Sequence, residues 1–113
     1  MKEIKAIIQP FMLEKVLEAL EELEELPGLT ISEVRGWGKS RAENAKNKQQ
    51  IAGHAFAAKA KIEVVVGDHL ANQLIDVIVK AAHTGHVGDG KVFVLEVADV
   101  VAIRTGKRGE AAI

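Results

Sequence analysis

Within 113 residues, a strand pattern, a helix pattern and a second strand pattern follow one another twice, with a long polar stretch between the two copies. No other feature restricts the fold as much. Ile4, Ala6, Ile7 and Ile8 predict a first strand, which Pro10 stops. Residues 11–26 predict a helix. Leu13, Val16, Leu17, Leu20 and Leu23 or Leu26 recur at helical spacing, and Glu14, Glu18, Glu21, Glu22, Glu24 and Glu25 fill the other faces. Pro27-Gly28 ends it. Residues 29–37 predict a second strand with Ile31 and Val34 apolar, closed by Gly36-Trp37-Gly38. The pattern restarts at residues 61–66, where Ile62, Val64, Val65 and Val66 predict a strong strand. Asp68 is a candidate N-cap for a second helix with a buried stripe of Leu70, Ala71, Leu74, Ile75, Ile78, Ala81 and Ala82. Residues 92–97 and 100–104 predict closing strands, broken near Asp99.

This order predicts an α+β, ferredoxin-like double βαβ domain with a long loop between strands 2 and 3. Both helices would cover one face of the sheet. Side chains alternate along a strand, so Val64, Val65, Val66 and Val94 cannot all point at the helices. The other face needs its own cover, and other copies of the chain are the economical source.

The stretch between the copies has a different character. Residues 39–50 are polar, and residues 51–60 are alanine-rich. A connection of this length in a compact domain points to a recognition loop. From Lys39 to Lys59 it carries Lys39, Arg41, Lys46, Lys48 and Lys59 against Glu43 alone, in a chain of formal net charge −1. That near-neutral balance gives the chain no general attraction to nucleic acid, and three Phe with one Trp offer few stacking surfaces. There is no cysteine, so disulfide and thiolate chemistry are excluded. No apolar run approaches the roughly 20 residues of a membrane span. The expectation is a cytoplasmic protein without membrane insertion.

The densest chemical signal is Thr84-Gly85-His86-Val87-Gly88-Asp89-Gly90-Lys91-Val92-Phe93. Glycine permits positive φ and close approach of backbone N–H groups to a ligand. Such N–H groups form anion-binding nests, and Lys91 adds a point charge. The segment reads as a phosphate cradle. Gly85, Gly90 and Lys91 match a Walker A loop until its last position, where Val92 replaces the Ser or Thr that would hold magnesium. Val92 to Leu95 also reads as a strand, whereas a Walker lysine opens a helix. A P-loop NTPase is therefore not expected. No paired carboxylates or nucleophile–base pair is evident, so the chain is not expected to be an enzyme. His83 and His86, with His54 and His69 elsewhere, lack the further ligands of a metal site.

Three anchors together resemble the PII signal-transduction family. They are Lys5-Ala6-Ile7-Ile8-Gln9-Pro10-Phe11, then Thr30-Ile31-Ser32-Glu33-Val34-Arg35-Gly36-Trp37-Gly38, and the glycine segment with Ile103-Arg104-Thr105-Gly106. The resemblance covers essentially the whole chain. It implies one domain, residues 1–113, with a T-loop at about 39–58, a B-loop at 84–91 and a C-loop at 102–108. It implies a homotrimer with ATP, ADP or AMP as ligand in the clefts between subunits and no obligatory cofactor. The phosphates would meet Thr84, Gly88, Asp89, Gly90 and Lys91, with Arg104 reaching in from the neighbouring subunit. Gly36, Trp37, Gly38 and Lys39 would lie at the T-loop base. Thr30 and Val65 would bound the adenine, with Ile7 and Phe93 nearby. The T-loop would dock on a partner protein, such as a membrane transporter or an enzyme.

The departures from the family pattern bear on function. Lys39 and Ser40 stand where nitrogen-sensing members carry Arg-Gln, and that Gln helps hold the magnesium through which 2-oxoglutarate binds. Lys59 does match the lysine that pairs with this effector. Ala102 stands where a C-loop arginine is expected, leaving Arg104 alone and weakening triphosphate recognition most. The chain has no tyrosine, and Ala52 occupies the place of the uridylylated residue, so control by uridylylation is not expected. The alternative is a metal-linked, CutA-like trimeric interaction protein of the same architecture.

Overall fold

The computed structural model describes residues 1–37, 48–51 and 54–113. Its elements are β1 (Lys2–Ile8), α1 (Leu13–Glu21), β2 (Thr30–Gly36), β3 (Lys48–Ile51), β4 (His54–Val66), α2 (Asp68–Ala82) and β5 (Gly90–Glu96). The sheet order is β2-β4-β1-β5, with β3 paired to β4, and every pairing is antiparallel. This is the ferredoxin-like arrangement that the duplicated pattern predicts. No helix among the described residues is long and apolar enough to cross a membrane.

Strand alternation explains the core. Ile4, Ala6 and Ile8 of β1 and Ala60, Ile62, Val64 and Val66 of β4 are buried on one face. Against them pack Val16 and Leu20 of α1 and Leu70, Ala71, Leu74, Ile78, Ala81 and Ala82 of α2. The α2 stripe agrees with its predicted spacing, with Ile75 at its partly buried margin. Val94 pairs with Ile4 and so shares the helix-covered face. Val65 pairs with Glu3 and lies on the other face. That open face carries rows of paired residues: Ser32, Lys61, Ile7 and Lys91 in one, and Thr30, Glu63, Lys5 and Phe93 in the next.

Several boundaries differ from the sequence expectations. The first helix begins as a 3-10 turn at Pro10–Met12 and its α-helical part stops at Glu21, not residue 26. Glu21, Glu22, Glu24 and Glu25 crowd the helix's negative C-terminal end, with no basic residue in the last turn. Leu23 and Leu26 continue to pack on the core through tighter turns. Asp68 is the first helical residue rather than the cap, a place taken by Gly67. The Asp68 carboxylate lies 3.0 Å from the Met1 ammonium.

The largest correction falls on the stretch expected to lack structure. β4 begins at His54 rather than residue 61, and β3 forms a hairpin with its first residues. The alanine-rich segment has little intrinsic strand preference. Its pairing with β2, from Gly36↔Ala57 to Val34↔Lys59, supplies the hydrogen bonds that fix it. Residues 38–47 and 52–53 of the expected loop lie outside the described residues. The predicted strand at 100–104 is also absent. The bridge Val101↔Arg108 closes a tight turn there, with Gly106 N–H donating to the Ala102 carbonyl at 2.8 Å.

Candidate functional site

The B-loop segment is a turn built around one carboxylate. Asp89 accepts hydrogen bonds from the Thr84 N–H at 2.8 Å, from the Gly85 N–H at 2.9 Å and from the Thr84 hydroxyl. The Thr84 hydroxyl in turn accepts from the His86 N–H at 3.1 Å. These donors favour the ionised form, and the Thr84 hydroxyl contributes most. Together with the two N–H groups, they hold the Asp89 carboxyl down at about 2. The Asp89 side chain is thus committed to shaping the turn.

Gly85, Gly88 and Gly90 all adopt positive φ. At Gly88 (φ 99°) an added Cβ would sit 2.8 Å from Gln9 Nε2. At Gly90 (φ 101°) it would overlap the Ile7 carbonyl, lying 2.8 Å from the carbonyl carbon. Glycine is needed there because β5 starts paired to β1 through Ile8↔Gly90. Lys59 closes the turn from β4, donating to the Gly88 carbonyl at 2.7 Å. Burial lowers the Lys59 pKa, partly offset by the charge of Asp89. Next in β5, Lys91 is exposed opposite Ile7. The turn therefore gathers Ile7, Lys59, Thr84, Gly88, Gly90 and Lys91 around one glycine-rich backbone.

The other predicted residues fall elsewhere. Thr30 and Val65 line an open cleft of about 380 Å³ with Glu3, Pro27, Gly28, Glu63, Val64, Val100 and Ile113. Phe93 pairs with Lys5 between the two regions. Gly36 ends β2 opposite Ala57, and Trp37 follows it, 56% exposed. Arg104 is exposed in the C-terminal turn, and no hydrogen bond or ion pair among the described residues joins it to the glycine turn. Gly38 and Lys39 lie outside the described residues. No group of three or more His, Cys, Asp or Glu among the described residues is placed to hold a metal ion.

Sequence reasoning missed Gln9, Glu63, Val100 and Ile113. Glu63 was legible, since it shares the face of Val65 by strand period. Ile113 was not, because only the path of the chain after β5 brings it to the cleft.

An antiparallel ferredoxin-like sheet with a glycine turn and a lysine at the start of its edge strand defines a class of small α+β domains. Residues 1–107 match the family Nitrogen regulatory protein P-II. The chain is 46% identical over its full length to the Nitrogen regulatory protein P-II of Bradyrhizobium diazoefficiens, which it also covers completely. It is 43% identical to the Nitrogen regulatory protein P-II 1 of Escherichia coli K12, again over the whole of both chains. The crystal structure of Arabidopsis thaliana PII bound to citrate superposes with a TM-score of 0.79 at 38% identity, over 99% of this chain and 91% of that one. The chain belongs to the P-II nitrogen regulatory family, a family of signalling proteins rather than enzymes.

Proposed function

We propose that this chain is a trimeric sensor that binds an adenine nucleotide between subunits and thereby sets the T-loop (about 39–58) for or against a protein partner. One observation carries the reading. The glycine turn meets the end of β1 through Ile8↔Gly90, whereas the Thr30–Val65 cleft lies across β2, β4 and the start of β1, where Glu3 pairs with Val65. We therefore read the turn and the cleft of one subunit as two halves of a nucleotide site that neighbouring copies complete. Adjacent copies bring the cleft of one to the glycine turn of the next. Phosphates meet the Gly88 and Gly90 backbone and Lys91, Arg104 joins them across the interface, and the base enters the Thr30–Val65 cleft. The homotrimer also covers the open face of the sheet.

Lys39 at the T-loop base couples phosphate occupancy to the loop. For any signal, ligand must bind the two loop states with different affinity. The chain has no tyrosine, so regulation runs through ligands rather than uridylylation. With Ala102 in the C-loop (102–108), ADP or AMP competes well with ATP. The Arabidopsis relative is described bound to citrate, and Lys59 is the cation here that a carboxylate effector would meet.

Calorimetry on mixed assemblies tests this reading. Lys91→Ala and Val65→Asp should each lose ADP binding. Trimers co-assembled from both variants should regain it, because some interfaces then join an intact cleft to an intact turn. Binding by the isolated Lys91→Ala protein, or no recovery on mixing, overturns the shared site.

A further inference from the structure

The chain after β5 folds back on itself as a short hairpin. The Gly109 N–H donates to the Val100 carbonyl at 2.9 Å, and the Ala102 N–H donates to the Lys107 carbonyl at 2.9 Å. Gly106, at positive φ, closes the tip with its N–H on the Ala102 carbonyl at 2.8 Å. The Lys107 N–H also donates to the Thr105 hydroxyl at 3.2 Å. Arg104 sits at this tip. It is exposed, and Ile103 beside it is fully exposed, so the tip stands clear of the described residues of its own subunit.

The base of the hairpin belongs to the cleft. Val100 lines the cleft beside Thr30 and Val65, and it is also the first paired residue of the hairpin. One carboxylate joins these two roles. Asp99 Oδ1 accepts from the Val100 N–H at 2.9 Å, and Asp99 Oδ2 accepts from Arg108 on the returning arm at 2.8 Å. Arg104 lies four residues past Val100, a reach of at most about 14 Å.

We propose that Asp99, acting through Arg108, is a positioning residue of the nucleotide site. It fixes the angle between the cleft wall and the hairpin, and so holds Arg104 where the phosphates lie when the base is seated in the cleft. The hairpin itself does not need this brace, because its backbone pairs and Gly106 close it. Its direction does. An arginine meets phosphate oxygens best in a fixed, two-pronged geometry. Ordering the arm before the ligand arrives removes that ordering from the free energy of binding. The Asp99–Arg108 pair is exposed, at 42% and 72%, so its removal leaves global unfolding nearly unchanged. Its effect is therefore read in ligand affinity, and specifically in the part of the affinity that the phosphates supply.

This inference rests on the proposed placement of the base in the Thr30–Val65 cleft and of Arg104 on the phosphates. Titrations of the full chain with ADP and with adenosine, which has no phosphate, separate the claims. Arg104→Ala should weaken ADP roughly tenfold or more and leave adenosine unchanged. Asp99→Asn, which keeps the acceptor for Val100, and Arg108→Gln should each weaken ADP about three- to fivefold, again without effect on adenosine. Arg108→Lys retains the ion pair and should keep most of the affinity. In an Arg104→Ala background, Asp99→Asn and Arg108→Gln should weaken ADP no further, because they act through Arg104. Unfolding midpoints identify any variant that folds poorly, and Arg108→Gln, on the exposed arm, serves if Asp99→Asn does. The brace is overturned by ADP binding equal to the parent's in both variants, by losses that persist in the Arg104→Ala background, or by adenosine binding that falls with ADP. In each of those cases a loss of ADP in Arg104→Ala alone leaves the shared site standing. Arg104→Ala binding ADP like the parent removes the placement of Arg104 and the brace together. ADP binding by none of the proteins, parent included, overturns the nucleotide reading and the brace with it.

Discussion

Two turns in this molecule use glycine at positive φ, and they use it for different reasons. In the turn before β5, Gly88 and Gly90 are hemmed in by Gln9 and by the Ile7 backbone. In the C-terminal turn, Gly106 and Gly109 have φ of 73° with nothing within 4 Å of an added Cβ. The first turn is built into the sheet, tied to it by Lys59 and to itself by Asp89. The second stands clear, held by the Ala102–Lys107 backbone pair at 2.9 Å and by Arg108 to Asp99 at 2.8 Å. Packing turns a local backbone preference into a strict requirement in one place and leaves it a mild one in the other. The turn that is locked is the one the proposed site needs as a pre-shaped surface, since donors fixed before binding cost no ordering when the ligand arrives.

Substitution can break this contrast. Gly90→Ala should have the largest effect, because strain at positive φ adds to overlap with the Ile7 carbonyl. We expect a loss of more than about 3 kcal/mol in denaturant unfolding, or failure to fold. A near-neutral result would mean that β5 does not start against β1 at this residue.

Asp89→Asn should lower the unfolding midpoint by less, and with a distinctive pH dependence. The folded carboxyl, at about 2, lies below its ordinary 3.8. Its stabilising effect is therefore complete above about pH 4 and is lost as pH falls toward 2. The parent and variant midpoints should differ at pH 7 and converge across that acid window. A gap that persists at pH 2 would show that charge on Asp89 is not what organises the turn.

Gly106→Ala should have the smallest effect, about 1 kcal/mol, because only the backbone conformation opposes the new methyl. A loss as large as that of Gly90→Ala would erase the distinction between the two turns.

Much of this could be read along the chain. The α2 stripe, the alternating faces of β1 and β4 and the glycine turn all depend on contacts between residues close in sequence or on a simple period. The ferredoxin-like order followed from them. The reading failed where distant partners decide. The alanine-rich segment became a strand because β2 lies beside it, and residues 100–104 did not because no strand among the described residues pairs with them beyond the bridge to Arg108. Asp89 shows the same dependence on a smaller scale. The fold gives the partners of its carboxylate, which turns back on Thr84 and Gly85.

The sequence by itself determined which faces are apolar, where the backbone needs glycine and which family the motifs resemble, because side-chain period and φ preference are local properties. The tertiary structure alone decided that Lys91 and the Thr30–Val65 cleft lie toward opposite ends of β1 and that Ile113 reaches that cleft. Those placements depend on strand order and on the path of the chain after β5, which are set by pairing between residues far apart in sequence.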